Sequence, residues 1–291
     1  MRGPSYPGHM ASAVRAMREN ARLVDVVIEV VDARAPSASR NPGLFRLVKK
    51  PTVIAMAKAD LADRGTTDSW RTEFESRGTL VFPVNCRTGE GVSDLLRGCR
   101  QVAEASPRGP GRLVAGGGRK RPLRAMVVGL PNVGKSSLVN KIASSAAART
   151  GARPGVTRGK QWVRTGEGVE VLDLPGVVMP GRSDPRSVVV LALLGIVEES
   201  SYDPVEVAAR ALRILRARSP SVLKAIGVGV ATEPTEEAYD GIRELGKRLG
   251  FVSKGGEVDI VRASSWLIRQ VRDGKIGRLS LESPPGEERD A

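Results

Sequence analysis

The residues Gly129-Leu130-Pro131-Asn132-Val133-Gly134-Lys135-Ser136 carry the spacing G-x-x-x-x-G-K-[ST]. Each position suits chemistry on a phosphate chain. Glycines let backbone N–H groups wrap phosphate oxygens at a helix N-terminus, where orphan donors and the helix dipole favour anions. Asn132, Val133, Gly134, Ser136 and Ser137 then cradle the phosphates, Lys135 reaches the β- and γ-phosphates, and the Ser136 hydroxyl holds Mg²⁺. Asp173-Leu174-Pro175-Gly176 comes next, at the end of an apolar run. A carboxylate there can hold the same metal through water, and the Gly176 N–H can sense a γ-phosphate. Thr157, in the loop Gly155-Val156-Thr157-Arg158-Gly159, is the natural second metal ligand.

A base-reading motif of the form [NT]-K-x-D is absent after Gly176. Ala57-Lys58-Ala59-Asp60 lies upstream of the phosphate loop instead. Lys58 can lie across a purine plane, and Asp60 can accept from guanine N1 and N2, a pattern adenine does not offer. Asn85-Cys86-Arg87 lies further on, where a second guanine-contacting loop of the form [S/N]-[A/C]-[K/R] is expected.

Strands and helices must position these residues. Asp25–Val31, Thr52–Ala57 and Leu80–Val84 are β-branched apolar runs with the pattern of buried parallel strands. Ala125–Val128, Gln161–Arg164 and Val169–Leu172 predict further strands. Helices are expected over Ala11–Arg22, Ser69–Arg77, Val92–Glu104 and Ser136–Ala147. Ser106–Arg124 holds six Lys/Arg, three prolines and no acid, so it reads as a loop or linker. Beyond Pro185 the periodicity is helical, at Asp203–Arg218, Pro234–Leu249 and Glu257–Arg272.

Composition narrows the class. The chain has 291 residues, of which 41% are hydrophobic and 27% charged, which is globular. Two cysteines, Cys86 and Cys99, and one histidine, His9, exclude a disulfide framework and a Cys/His zinc cluster. The longest apolar run, Val188–Val197, falls well short of the ~20 residues of a membrane-crossing helix. The N-terminus lacks a signal pattern, so a cytoplasmic protein is expected. Residues 1–178 carry 29 Lys and Arg against 15 Asp and Glu, whereas residues 179–291 carry 17 of each. An excess concentrated in this way suits contact with a polyanion such as RNA.

The order of motifs, base recognition first and phosphate loop afterwards, resembles the circularly permuted GTPases. Within them the chain is similar to the YlqF/RbgA family of ribosome-assembly GTPases. Tyr6-Pro7-Gly8-His9-Met10-Ala11, Asp32-Ala33-Arg34-Ala35-Pro36 with Asn41-Pro42, Asp173-Leu174-Pro175-Gly176 and Arg272-Asp273-Gly274-Lys275-Ile276-Gly277-Arg278 match its signatures in order. The resemblance implies an α/β, P-loop GTPase fold over residues 1–182, circularly permuted, with a mostly parallel sheet flanked by helices. A smaller all-α C-terminal domain, 183–291, would dock on RNA.

It further implies a protein that binds GTP and GDP, hydrolyses GTP slowly, and acts on rRNA in the precursor of the large ribosomal subunit, which stimulates hydrolysis; a monomer is expected. A GTP-gated RNA-docking module with negligible turnover is the alternative. Members of the family have an apolar residue in place of a water-orienting Gln. Val177 fits that pattern, and His9 takes the proposed water-positioning role. Asn132 matches a residue that helps potassium-stimulated relatives hold K⁺. One position departs from the family: Ala57 stands where the base motif normally has Asn. Losing that side chain's hydrogen bonds costs about 1 kcal/mol, so weaker GTP affinity with retained guanine preference is expected.

For RNA, the basic stretches are Arg149–Arg164, Ser106–Arg124, and the face of the last helix bearing Arg262, Arg269, Arg272 and Lys275 around Trp266.

Overall fold

A computed structural model describes residues 15, 17–41, 43, 48–106, 121–150, 162–165, 168–173, 185–228, 237–253 and 255–287, with backbone only at 146–150, 173, 185–186 and 237–238. Contacts divide the chain into two units: residues 1–60 with 70–181, and residues 61–69 with 182–291.

The first unit is built on six strands: β1 (Val26–Asp32), β2 (Thr52–Ala57), β3 (Val81–Val84), β4 (Leu123–Val128), β5 (Trp162–Arg164) and β6 (Val169–Asp173). They form one sheet in the order β3-β2-β1-β4-β6-β5. All pairs are parallel except β5 with β6. β1 is buried along its whole length, which is why it reads as a continuous apolar run. Helix-forming residues 17–21 help cover one face, where Met17, Ala21 and Val24 pack with Val27, Met126 and Leu172.

Three helices connect these strands. They are α1 (Arg64–Ser76), α2 (Val92–Ala105) and α3 (Lys135–Thr150). α1 starts five residues before the predicted Ser69. The Asp63 carboxylate accepts from Thr66 N at 2.8 Å and from its hydroxyl at 2.9 Å, and this cap secures a first turn of weak helix formers.

The second unit is helical: α4 (Pro185–Leu193), α5 (Pro204–Arg218), α6 (Pro220–Ile226), α7 (Glu237–Arg248) and α8 (Ile260–Asp273). α5 and α8 begin at side-chain caps, Asp203 accepting from Val205 N at 2.7 Å and Asp259 from Arg262 N at 2.9 Å. Gly274 ends α8 in the left-handed region. Leu212, Leu215, Leu267, Ile268 and Val271 form buried faces of α5 and α8. The sequence did not predict α4 or α6. From Val188 on, α4 is an apolar run, where periodicity cannot separate helix from strand. Among the described helices none is long and apolar enough to cross a membrane.

Candidate nucleotide-binding site

The parallel register puts the C-terminal ends of five strands on one edge. Asp32 lies opposite Ala57, Ala57 opposite Val84, Glu29 opposite Val128, and Val127 opposite Asp173. Ligands of such sheets bind beyond these ends. Every described sequence-predicted site residue of this unit comes at the end of one of them or in the loop or helix turn that follows it.

The phosphate loop leaves β4 at Gly129. A side chain there would bring Cβ to 2.4 Å from the Val30 carbonyl oxygen, at φ +152, so the position requires glycine. Asn132 takes a left-handed φ of 58. Lys135 is buried, and its ammonium donates to the Leu130 carbonyl at 2.7 Å. The amine is thus held inside the loop whose backbone would cradle phosphates. Ser136 and Ser137 are exposed in the first turn of α3. The Asp173 backbone ends β6 beside the β4 strand that feeds this loop. Hard oxygen donors from a helix start and an adjacent strand end suit Mg²⁺, so this part of the chain fits the ion. Thr157, Gly176, Val177 and His9 lie outside the described residues, as does the Asp173 side chain.

The base-motif residues meet this loop directly. Lys58, with φ 59, sends its ammonium to the Asn132 carbonyl at 2.9 Å and to Asp32 Oδ2 at 2.8 Å. The Ala57 Cβ faces Gly134, where an added Cβ would sit 3.1 Å away. Ala59 N donates to the Val84 carbonyl at 3.3 Å, joining the two base loops. Asn85 is buried, and its side-chain oxygen accepts from Arg87 N at 3.0 Å and Thr88 N at 3.3 Å. Lys141 on α3 donates to the Arg87 carbonyl at 3.3 Å. Residues 57–60, 85–87 and 132–141 therefore surround one edge of the sheet. Arg87 approaches Asp60 only loosely, at 4.0 Å.

Sequence reasoning missed the support beneath Lys58. Asp32 is fully buried and receives Arg34 Nε at 2.9 Å, Arg34 Nη2 at 2.9 Å and Lys58 Nζ. Burial alone would raise its pKa; the two cations outweigh that and lower it to about 2. The signature Asp32-Ala33-Arg34 was legible as a motif, but its contact with Lys58 spans 26 positions. Cys86 is half-buried, and burial, then the nearby Asp60 charge, pushes its thiol up to about 11, so it is neutral at ordinary pH.

Several predicted RNA-facing cations already have partners within the chain. Arg121 pairs with Asp25 at 2.6 Å, and Arg124 and Arg164 share Glu170 at 3.2 and 3.1 Å. Arg124 also stacks on Trp162, 5.1 Å from its ring centre. In α8, Arg262 lies 4.4 Å from the Phe251 ring centre, and just beyond the helix Lys275 pairs with Asp273 at 3.0 Å. Arg272 is tied to Glu199 at 2.7 Å, the Tyr202 hydroxyl at 3.2 Å and the Ala192 carbonyl at 3.3 Å. Arg272 is therefore a packing residue of the helical unit, not part of an open basic face. Residues 107–120 and 151–161 lie outside the described set.

The model of the 50S ribosome-binding GTPase family matches residues 124–218. A protein named ribosome biogenesis GTPase A from Bacillus cereus is 37% identical over 281 residues, covering 96% of this chain and 93% of that one. Its Thermotoga maritima namesake is 32% identical over 96% of this chain and 94% of its own. The crystal structure of GNP-bound YlqF from T. maritima superposes with a TM-score of 0.67 at 29% identity, covering 94% of this chain and 99% of the other. With base and phosphate motifs in inverted chain order around one sheet edge, and similarity along nearly its whole length, the chain belongs to the YlqF/RbgA family of ribosome biogenesis GTPases.

Proposed function

We propose that this GTPase binds GTP with Mg²⁺ at the strand ends and acts as a switched assembly factor for the large ribosomal subunit. GTP raises its affinity for the pre-ribosomal particle and its rRNA, and hydrolysis stimulated there releases it. It works in the cytoplasm as a monomer with a low intrinsic rate. The observation that supports this reading is the Lys58–Asn132 contact at 2.9 Å, which links residues early in the chain to the phosphate loop.

The roles rest on the geometry and the family resemblance. Lys58 lies across the guanine plane, Asp60 accepts from N1 and N2, and the Asn85-Cys86-Arg87 loop closes the purine edge. Backbone donors from Asn132 to Ser137 receive the phosphates. Lys135 exchanges the Leu130 carbonyl for β- and γ-phosphate oxygens. Ser136, Thr157 and Asp173 hold Mg²⁺, which neutralises charge on the transferred phosphoryl group. Gly176 donates to the γ-phosphate. His9 positions the attacking water, since Val177 has no polar group to do so. Asn132 also contributes to a K⁺ site. Residues 1–182 form the catalytic domain and residues 183–291 the ribosome-docking domain.

Single-turnover GTP hydrolysis by the full chain, with and without large ribosomal subunits at high potassium, tests this reading. We expect slow turnover alone, acceleration by subunits, and a loss of about a hundredfold in Lys135→Ala. No hydrolysis in either condition would overturn the enzyme reading. It would favour a nucleotide-gated RNA-docking module, for which Ala57 is the supporting observation.

A further inference from the structure

The closing signature Arg272–Arg278 is only partly explained by packing. Arg272 latches helices, and Gly274 caps α8. Beyond Gly274 the chain turns back, and Leu279 N donates to the Leu61 carbonyl at 3.0 Å. Leu279 and Leu281 are buried. Their alternating neighbours, Arg278 and Ser280, belong to the wall of a cavity of about 680 Å³ within the helical unit.

The chemistry of that wall is specific. Arg218 comes from the last turn of α5, Ser219 and Ser221 from the start of α6, and Asp63 from the cap of α1. Pro220 is the one apolar side chain among the lining residues, so the cavity does not suit an apolar ligand. Arg218 donates to the Ser283 hydroxyl, which fixes its guanidinium at the wall. Arg278 is exposed and makes no ion pair among the described residues. The Ser280 side chain is 5% exposed, yet its hydroxyl has no hydrogen-bond partner among the described residues. A buried hydroxyl without a partner is rare.

We propose that this cavity binds a phosphorylated sugar. Two guanidinium forks match phosphate oxygens geometrically, and the hydroxyls of Ser219 and Ser221 donate to the same oxygens. The carboxylates of Asp63 and Glu287, on the same wall, accept from sugar hydroxyls. A cavity of this size holds a nucleotide-sized group rather than a lone ion. The sugar phosphate is either a free metabolite or one unit of an RNA chain. The proposal does not depend on the sheet-edge reading, because the cavity lies wholly in the helical unit, and its RNA outcome rests on the docking role proposed for residues 183–291.

The test uses the full chain saturated with GDP and Mg²⁺. It is titrated separately with ribose 5-phosphate, which has no base to enter a guanine site, and with a short single-stranded RNA. Arg278→Met, Arg278→Lys, Arg218→Met/Arg278→Met and, as a control, Arg269→Met are compared. Binding should weaken roughly tenfold for each guanidinium removed, with GDP affinity and melting temperature unchanged. Lys at 278 should restore only part of the loss, because it lacks the fork. A loss in the ribose 5-phosphate arm assigns a free sugar phosphate. A loss confined to the RNA arm, and absent in Arg269→Met, assigns an RNA backbone unit. If neither probe binds, or Arg278→Met leaves both affinities unchanged, the proposal fails. Arg278 is exposed, so that variant tests the idea even if substitution of Arg218 disturbs the fold.

Discussion

The two units handle charge in opposite ways. In the sheet unit, Glu29, Asp32, Arg34, Lys135 and Glu170 are buried. Among the described residues the helical unit buries no charged side chain, and its polar interior consists of hydroxyls such as Ser264 and Ser280. Burying an ion pair gains little net stability over well-packed apolar residues. The helical unit, held by apolar faces and end caps, shows how such a fold manages without buried ions. Three of the sheet unit's buried charges, Asp32, Arg34 and Lys135, lie at or just beyond strand ends, where Asp32 holds Lys58 and Lys135 binds within its own loop. They serve placement more than stability.

That contrast can be broken most severely at Asp32. Asp32→Asn leaves the Arg34 guanidinium buried without its counter-charge, and should cost about 3–5 kcal/mol of unfolding free energy, read by denaturant titration. An equal stability for the variant would show that the pair is dispensable. The wild type should also carry an acid signature. Its Asp32 carboxyl titrates at about 2 against an ordinary 3.8. The stabilisation is complete above the ordinary value and fades as pH falls from there through about 2, a loss of about 2 kcal/mol. Stability measured across that window should decline in the wild type and lack this component in Asp32→Asn.

In the helical unit the corresponding lever is a cap. Asp259→Ala removes the acceptor for Arg262 N and should cost about 1 kcal/mol, seen as a lower melting temperature with GDP affinity intact. A change in GDP affinity there would mean that the two units do not divide stability and binding as described. An effect of similar size, on binding alone, is expected at Ala57→Asn. Hydrogen bonds from a new carboxamide beside Gly134 should tighten GTP and GDP by about 1 kcal/mol, roughly fivefold. Titration with GTP, GDP and ATP checks this, and unchanged GTP affinity would refute the reading of Ala57 as a weakened base motif.

The sheet, and the clustering of the motif residues at its strand ends, were largely legible because motifs and strand ends coincide. A β-branched run ending in Asp32 or Ala57 announces both a buried parallel strand and the place of the loop beyond its end. The glycine spacing of residues 129–136 marked the phosphate loop outright. Less could be read where contacts join distant positions. Glu29 interrupts an apolar strand, and only the fold shows that it accepts from Arg40 Nε and Asn41 N, each at 3.0 Å. Asp32 beneath Lys58 is hidden for the same reason. Arg272 looked like part of a charge stripe, since helical spacing reports which face a residue lies on but not whether a neighbour such as Glu199 covers it. The start of α1 was missed because Gly65, Thr66 and Thr67 have low helix propensity, and the cap at Asp63 outweighs it.

The sheet order also dates the parts of the site. β1, β2 and β3 are complete by Val84, and β4 begins only at Leu123 on the far side of β1. A growing chain thus finishes the strands that lead into Lys58, Asp60 and Asn85 well before it makes the loop that carries Lys135. Translation stopped short of Leu123 would release a chain that has Lys58, Asp60 and Asn85 but lacks the Gly129–Ser136 loop proposed to hold the phosphates.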